Sequence, residues 1–320
     1  MILTITVNPS IDRTVELAEP LEPGAVQRAT ASRVEAGGKG VNVARVVASA
    51  GNDALAVLPA RQTDALLRLL DDVSLPYRCI DIHQDVRSNI TIVDPDGTTT
   101  KINAAGAELD TATDTALTDL IDQLAPDAHW IALCGSLPPG LPDDWYARIA
   151  ERLAARGANV AVDTSGAPLK AVARPGIGLL KPNADELAEL VGGSGPEIES
   201  LAATGDFTSA SIAAQTLAAR TGGAVLTTLG AAGALLTIGP RTWSATTPPI
   251  TPRSTVGAGD ASLAGYLLAD LDGETPPERL RRAVAYGSAA AALPGTQPPS
   301  PTHLDLTNVH VTELPLSTTV

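Results

Sequence analysis

Apolar residues alternate with Thr4 and Thr6 through Ile2–Val7, and Asn8-Pro9-Ser10 ends the run. A period of two stopped by turn residues predicts a strand. Ile11–Leu17 alternates again and predicts a second, amphipathic strand with one wet face. The spacing then changes. After Ala36-Gly37-Gly38-Lys39-Gly40, residues Val43, Val46 and Val47 share one face of an expected helix. Asp53–Ile82 reads as strand, helix (Thr63–Leu70) and strand. Val86–Val93 and Thr98–Asn103 alternate on either side of Asp94-Pro95-Asp96-Gly97, which is a hairpin signal.

The second half is more regular. A polar helix is expected at about Thr111–Leu124. Four strands follow, and each runs into a turn of Gly, Ser, Asp, Asn or Pro. Trp130–Cys134 leads to Gly135-Ser136-Leu137-Pro138-Pro139-Gly140, and a helix at Asp143–Arg156 comes next. Asn159–Val162 leads to Asp163-Thr164-Ser165-Gly166, and Gly178–Leu180 to Lys181-Pro182-Asn183, with Glu186 one turn into the next helix. Ala224–Thr227 leads to Thr228-Leu229-Gly230-Ala231-Ala232-Gly233. Parallel strands would set those turns along one sheet edge, where a doubly wound α/β fold builds its site. An Ala-rich helix (Pro276–Ala292), a Pro-rich stretch to Pro301 and a short polar strand near Val309 complete the pattern. No repeat or linker divides the chain.

Composition narrows the function. At 44% hydrophobic residues the chain is globular, and with 2% aromatics its core must be Ala, Val, Leu and Ile. A net charge of −14 argues against nucleic acid and acidic membranes as partners, and it makes a basic residue beside a Gly turn more informative. Cys79 and Cys134 form neither a zinc pattern nor a redox pair, and the four histidines have no ligand spacing. The N-terminus lacks a basic leader and no apolar run spans a bilayer, so a cytoplasmic location is expected.

Thr255-Val256-Gly257-Ala258-Gly259-Asp260 holds the most chemistry. A Gly-spaced turn opening a helix presents free N–H groups at the positive end of the helix dipole, a place for an anion. Asp260 in the first turn is placed to take a proton from a hydroxyl while those N–H groups stabilise charge on a transferring phosphoryl group. Gly37-Gly38-Lys39-Gly40 is not a phosphate-binding Walker loop, since Gly rather than Ser or Thr follows Lys39. It still offers Lys39 and Asn42 to a polar ligand. No GxGxxG supports a dinucleotide site.

Taken in order, Thr6–Asp12, Gly37–Ala44, Gly135–Gly140, Asp163–Gly166, Lys181–Asn183 with Glu186, and Thr255–Asp260 resemble the ribokinase-like family of sugar kinases, in its phosphofructokinase-B branch. The resemblance spans nearly the whole chain. It implies one kinase domain over residues 1–320, a three-layer doubly wound sheet, and a small β lid from strands inserted at about 10–18 and 86–104. It implies ATP-dependent phosphorylation of a hexose phosphate. The GGKGVNVA and DTSG forms with Arg87-Ser88-Asn89 point first to fructose 1-phosphate, then to tagatose 6-phosphate or fructose 6-phosphate. Asp260 would be the base, with Gly257, Ala258 and Gly259 as the anion hole. Asp12, Gly38 and Asn42 would hold sugar hydroxyls, and Lys39 and Arg87 the substrate phosphate. Lys181, Asn183, Glu186, Thr228, Gly230 and Gly233 would serve ATP and its Mg²⁺, with Glu186 reaching the metal through water. A homodimer through the lid is a further expectation of the resemblance. Leu58-Pro59-Ala60-Arg61-Gln62 departs from the family's Gly-Asp-Gly-like turn, and Thr91 stands where Lys is frequent.

Overall fold

The alternation at the N-terminus forms β1 (Ile2–Ile5), and the next run forms β2 (Ser10–Leu17). β3 (Ala29–Gly37) follows, a strand that the Ala-rich, polar sequence gave no period to reveal. α1 (Lys39–Ser49) starts directly after Gly38, and β4 (Ala54–Ala60) is buried along its length. α2 (Ala65–Asp72) begins two residues later than expected because Asp64 caps it, accepting from Leu66 N–H at 2.8 Å. β5 (Tyr77–Asp81), β6 (Arg87–Val93), β7 (Thr99–Ile102) and α3 (Thr111–Leu124) match the expected order.

β8 (Trp130–Cys134), α4 (Trp145–Ala154), β9 (Val160–Asp163), α5 (Gly166–Val172), β10 (Leu179–Leu180) and α6 (Ala184–Val191) continue the alternation. The chain then forms α7 (Gly195–Ala203) and α8 (Thr208–Thr221), neither anticipated, before β11 (Ala224–Thr228). β12 (Ala234–Ile238) and β13 (Arg241–Thr246) are two further additions. α9 (Ala258–Leu271), α10 (Pro276–Ala292) and β14 (His310–Glu313) close the order. This computed structural model describes residues 1–315; residues 316–320 of the expected domain lie outside the described residues.

The large sheet has ten strands in the order β14-β13-β12-β11-β10-β9-β8-β1-β4-β5. From β11 to β5 all neighbours are parallel, while β12, β13 and β14 are added antiparallel at one edge. From β1 the chain goes outward to β4 and β5, then returns to β8 and continues the other way. The switch point therefore lies between β1 and β8, where such folds open a crevice at the strands' carboxyl ends. Ile2, Ala56, Leu58 and Ala132 face one layer of helices, built by α1, α2, α9 and α10. Leu3, Ile5, Val57 and Leu133 face the other, built largely by α3, α4, α5 and α8. The three expected layers are present.

The small sheet has the order β3-β2-β6-β7. β2 pairs antiparallel with β3 and parallel with β6. The expected lid thus gains a fourth strand, 29–37. β2 also lacks the simple wet face expected of it: Ile11, Val15 and Leu17 are half-buried, as are Asp12 and Thr14 on the opposite side. At the family departure, β4 runs on through Pro59 and Ala60 beside Ile80 and Asp81, and Gln62 N–H donates to Asp81 at 3.0 Å. The turn is closed by its own neighbours. Thr91 stands opposite Lys101 in the hairpin.

Candidate active site

Gly257 has φ 79°, the left-handed conformation that glycine adopts freely, and it starts α9. The first helical hydrogen bond runs from Ala261 N–H to Gly257 C=O at 2.8 Å, so the N–H groups of Gly257, Gly259 and Asp260 precede the helical ladder, while that of the expected Ala258 turns to Thr255 C=O at 3.5 Å. α9 is buried along Asp260–Ala269. Its first turn is thereby fixed at the sheet's carboxyl edge. A side chain on Gly259 would lie 3.3 Å from Lys181 Nζ, which places that ammonium against the helix N-terminus.

Asp260 is buried and accepts from Asn42 Nδ2 at 2.8 Å. Burial pushes its carboxyl up to about 6, and the neighbouring Asp163 pushes in the same direction. Lys39, Asn42 and Lys181 oppose the rise. A buried base poised near neutrality suits proton removal from a hydroxyl.

Asp163, at the end of β9, has no exposed surface (0%). Lys39 Nζ lies 2.6 Å from its Oδ1, and Lys181 Nζ lies 3.0 Å from its Oδ2. Burial alone would raise its pKa, but the two ammonium groups outweigh that and hold the carboxyl below its ordinary value. Lys39 is held above its usual value; Asp163 and Asp260 overcome the burial that pulls it down.

The expected substrate residues separate into groups. Asp12 accepts at Oδ1 from Asn89 Nδ2 (2.9 Å) and from the Ser10 hydroxyl (2.8 Å). A Cβ on Gly37 would meet Asp12 Oδ2 at 2.3 Å, so glycine there leaves the carboxylate in its place. Gly38 has φ 112° and packs over Thr6, which lets α1 start beside β1. Arg87 lines a cavity of about 550 Å³ with Asn8, Ser136 and the Leu137-Pro138-Pro139 turn. It donates to Ala104 C=O at 3.1 Å, while its buried Nε has no partner among the described residues. Lys39 Nζ ends on Asp163. Asn42 Nδ2 donates to Asp260, and its buried Oδ1 has no partner among the described residues.

On the nucleotide side, Asn183 and Glu186 cap each other. Asn183 Oδ1 accepts from Glu186 N–H at 2.8 Å, and Glu186 Oε2 accepts from Asn183 N–H at 2.9 Å. Burial raises the Glu186 carboxyl, which Asn183 and Lys39 oppose. Thr228 lies beside Asn183 through a parallel bridge. Gly230 and Gly233 both have positive φ in the turn joining β11 to β12, and a Cβ at Gly233 would meet Ala245 C=O at 2.0 Å. Lys181 Nζ pairs with Asp163.

Sequence reasoning gave no role to Asn8, Ser136 or Asp163. Asn8 donates to Ala105 C=O (3.0 Å) and to the Ser136 hydroxyl (3.1 Å), joining the turns after β1 and β8 to the segment after β7. Asn8 stands three residues after β1, Ser136 two after β8 and Asp163 at the end of β9, and that position was the available signal.

Residues 5–303 match the pfkB family of carbohydrate kinases, and the chain belongs to that family. It is an ATP-dependent sugar-phosphate kinase. Over 292 residues it is 37% identical to the 1-phosphofructokinase of Xanthomonas campestris pv. campestris, covering 88% of this chain and 87% of that one. It is 37% identical over 314 residues to the 1-phosphofructokinase of Rhodobacter capsulatus, covering 95% and 94%. The solved phosphofructokinase-2 from Escherichia coli in complex with substrates and products superposes with a TM-score of 0.82 at 28% identity, over 94% of this chain and 96% of that one. Among the described residues, no helix is long and apolar enough to cross a membrane.

Proposed function

We propose that the chain transfers the γ-phosphoryl group of ATP to the 6-hydroxyl of fructose 1-phosphate, giving fructose 1,6-bisphosphate. The observation that carries this reading is the buried Asp260 at the open N-terminus of α9, held by Asn42 and faced by two lysines. Asp260 accepts the hydroxyl proton. The sugar O6–phosphorus bond forms as the bond from the γ-phosphorus to the β–γ bridging oxygen breaks. ADP leaves with that oxygen and its electron pair, and the proton passes later to solvent. The N–H groups of Gly257 and Gly259, with that of Asp260, would face the charge that spreads over the phosphoryl oxygens. Arg87, whose guanidinium Nε lacks a partner among the described residues, would hold the 1-phosphate in the cavity it shares with Asn8 and Ser136.

Mg²⁺ enters with ATP as substrate. No cluster of three or more His, Cys, Asp or Glu side chains among the described residues forms a resident metal site. Glu186, with one carboxylate oxygen outside the capping pair, fits a hydrated ion that keeps most of its waters and its phosphate ligands. The ion would neutralise phosphate charge during transfer. Thr228, Gly230 and Gly233 would pass the nucleotide close to the backbone. The small sheet buries neither face fully and exposes Val34 and Ile102, which supports pairing with a second copy; sedimentation velocity tests it. A cytoplasmic location accords with a substrate and nucleotide of that compartment.

The deciding experiment compares kcat/KM for fructose 1-phosphate, fructose 6-phosphate, tagatose 6-phosphate and free fructose. Preference for fructose 1-phosphate is expected. Preference for free fructose would overturn the phosphate site, and preference for another phosphate would reassign the acceptor.

A further inference from the structure

Asp163 belongs to the Asp163-Thr164-Ser165-Gly166 turn, and proton transfer and phosphate binding as set out above do not use it. Its geometry is specific. Two lysines from distant parts of the chain, at the start of α1 and just after β10, end on the two oxygens of one fully buried carboxylate. Stability alone accounts poorly for such a group, because buried ion pairs contribute little net stability over an apolar replacement. Its surroundings point to chemistry. Lys181 Nζ rests against Gly259, and the Lys39 side chain keeps 36% exposure while feeling both Asp260 and Glu186. Lys39 therefore ends beside the base and toward the nucleotide side, and it is not among the residues that line the cavity Arg87 shares with Asn8 and Ser136.

We propose that Asp163 is a positioning residue that holds Lys39 and Lys181 at the point of phosphoryl transfer, and that Lys39 contacts the group in flight rather than the acceptor's resident phosphate. This rests on the reading of Asp260 as the base. Before reaction, Lys39, Lys181, Asp163 and Asp260 sum to zero charge. When Asp260 takes the hydroxyl proton, the same four groups carry one net positive charge. That charge appears as the attacking oxygen gives up its proton to the base and charge redistributes over the phosphoryl group. An interaction that strengthens only on the way to the transition state raises kcat and leaves substrate binding nearly unchanged.

The test uses the full-length chain with ATP and the sugar phosphates named above. If the wild type phosphorylates none of them, the proposed function fails, whatever the variants do. With a turned-over substrate in hand, Lys39→Met should lower kcat by about 10²–10³-fold, the scale of losing one stabilising group. KM for the sugar phosphate should stay within about threefold, since that variant removes no ground-state contact. Lys39→Arg should restore part of the rate. The acid limb of kcat/KM should move to higher pH in Lys39→Met, where Asp260 loses a facing cation. It should move to lower pH in Asp163→Asn, where Asp260 loses a facing anion; Lys39 and Lys181 stay as its other charged neighbours and Asn42 as its donor. If Asp163→Asn does not fold, the double variant Asp163→Asn, Lys181→Met removes the buried charge imbalance and replaces it in the rate measurement, where kcat should fall with KM held; its acid limb carries no expected direction, because Asp260 then loses a facing cation together with the anion. A raised KM with kcat retained in Lys39→Met would overturn the proposal and return Lys39 to the acceptor's phosphate. Wild-type rates and an unmoved acid limb in folded Asp163→Asn, or wild-type kcat in the double variant, would overturn it too.

Discussion

At the scale of single residues, Asp260 links activity to stability. Asp260→Asn keeps an acceptor for Asn42 and should lower kcat by about 10²–10⁴-fold, the usual worth of a general base. Its carboxyl is raised to about 6, above the ordinary value near 4 for an unfolded aspartate. A group shifted upward binds its proton more tightly in the folded state, so stability falls as pH rises from about 4 to about 6 and stays reduced above. The variant should therefore melt above the wild type at pH 8, by on the order of 1–3 kcal/mol, and the two should converge at pH 4. Melting curves at the two pH values check this; equal melting at pH 8 would show that Asp260 is not strained by its surroundings. Arg87→Ala has the opposite signature to a lost base. It should raise KM for the sugar phosphate by about 10–150-fold, the equivalent of one charge-assisted hydrogen bond, while KM for ATP holds. A shifted KM for ATP alone would place Arg87 on the nucleotide side.

At the scale of elements, the site depends on how closely α9 and α10 approach. A Cβ on Gly265 would meet Arg282 C=O at 2.8 Å and the Tyr286 ring at 2.9 Å. Gly265→Ala should cost about 1–3 kcal/mol by overpacking and shift the first turn of α9 with it. Denaturant unfolding measures the loss, and a neutral result would mean that α10 can yield. The far end of α9 is fixed by Asp270, which accepts from Trp130 Nε1 at 2.7 Å and pairs with Arg279 at 2.5 Å. These long-range ties also mark what the sequence could and could not reveal. The parallel strands and their turns were legible, because β8, β9, β10 and β11 each end at a break in hydrophobicity. β12 and β13 were not, since a continuous apolar run such as Ala234–Ile238 has no period of its own. β3 was hidden for the opposite reason, being largely exposed and Ala-rich. Among site residues, Asp260 and its glycines stood out by local spacing. The partnership of Lys39 with Asp163 joins residues 124 positions apart, and only the order of strands β1, β8 and β9 in the sheet brings them together.

At the scale of the molecule, charge is unevenly assigned. The chain carries −14, yet both lysines of the reaction centre already have a carboxylate at 2.6 and 3.0 Å. Seen from outside, those two cations are nearly cancelled, and an approaching dianion meets the field of the acidic surface instead. Encounter then proceeds against a repulsion that ions in solution can screen. Between about 0.01 M and 0.15 M salt the screening length shrinks from about 30 Å to about 8 Å. kcat/KM for the sugar phosphate should therefore rise with added salt over that range, in sodium and choline chloride alike. Enzymes that draw anionic substrates in with a basic funnel slow down under the same treatment. A falling rate would mean that Arg87 projects its charge far enough to steer. A rising one would mean that this kinase gives up fast capture for a centre whose positive charge emerges only once the proton has moved.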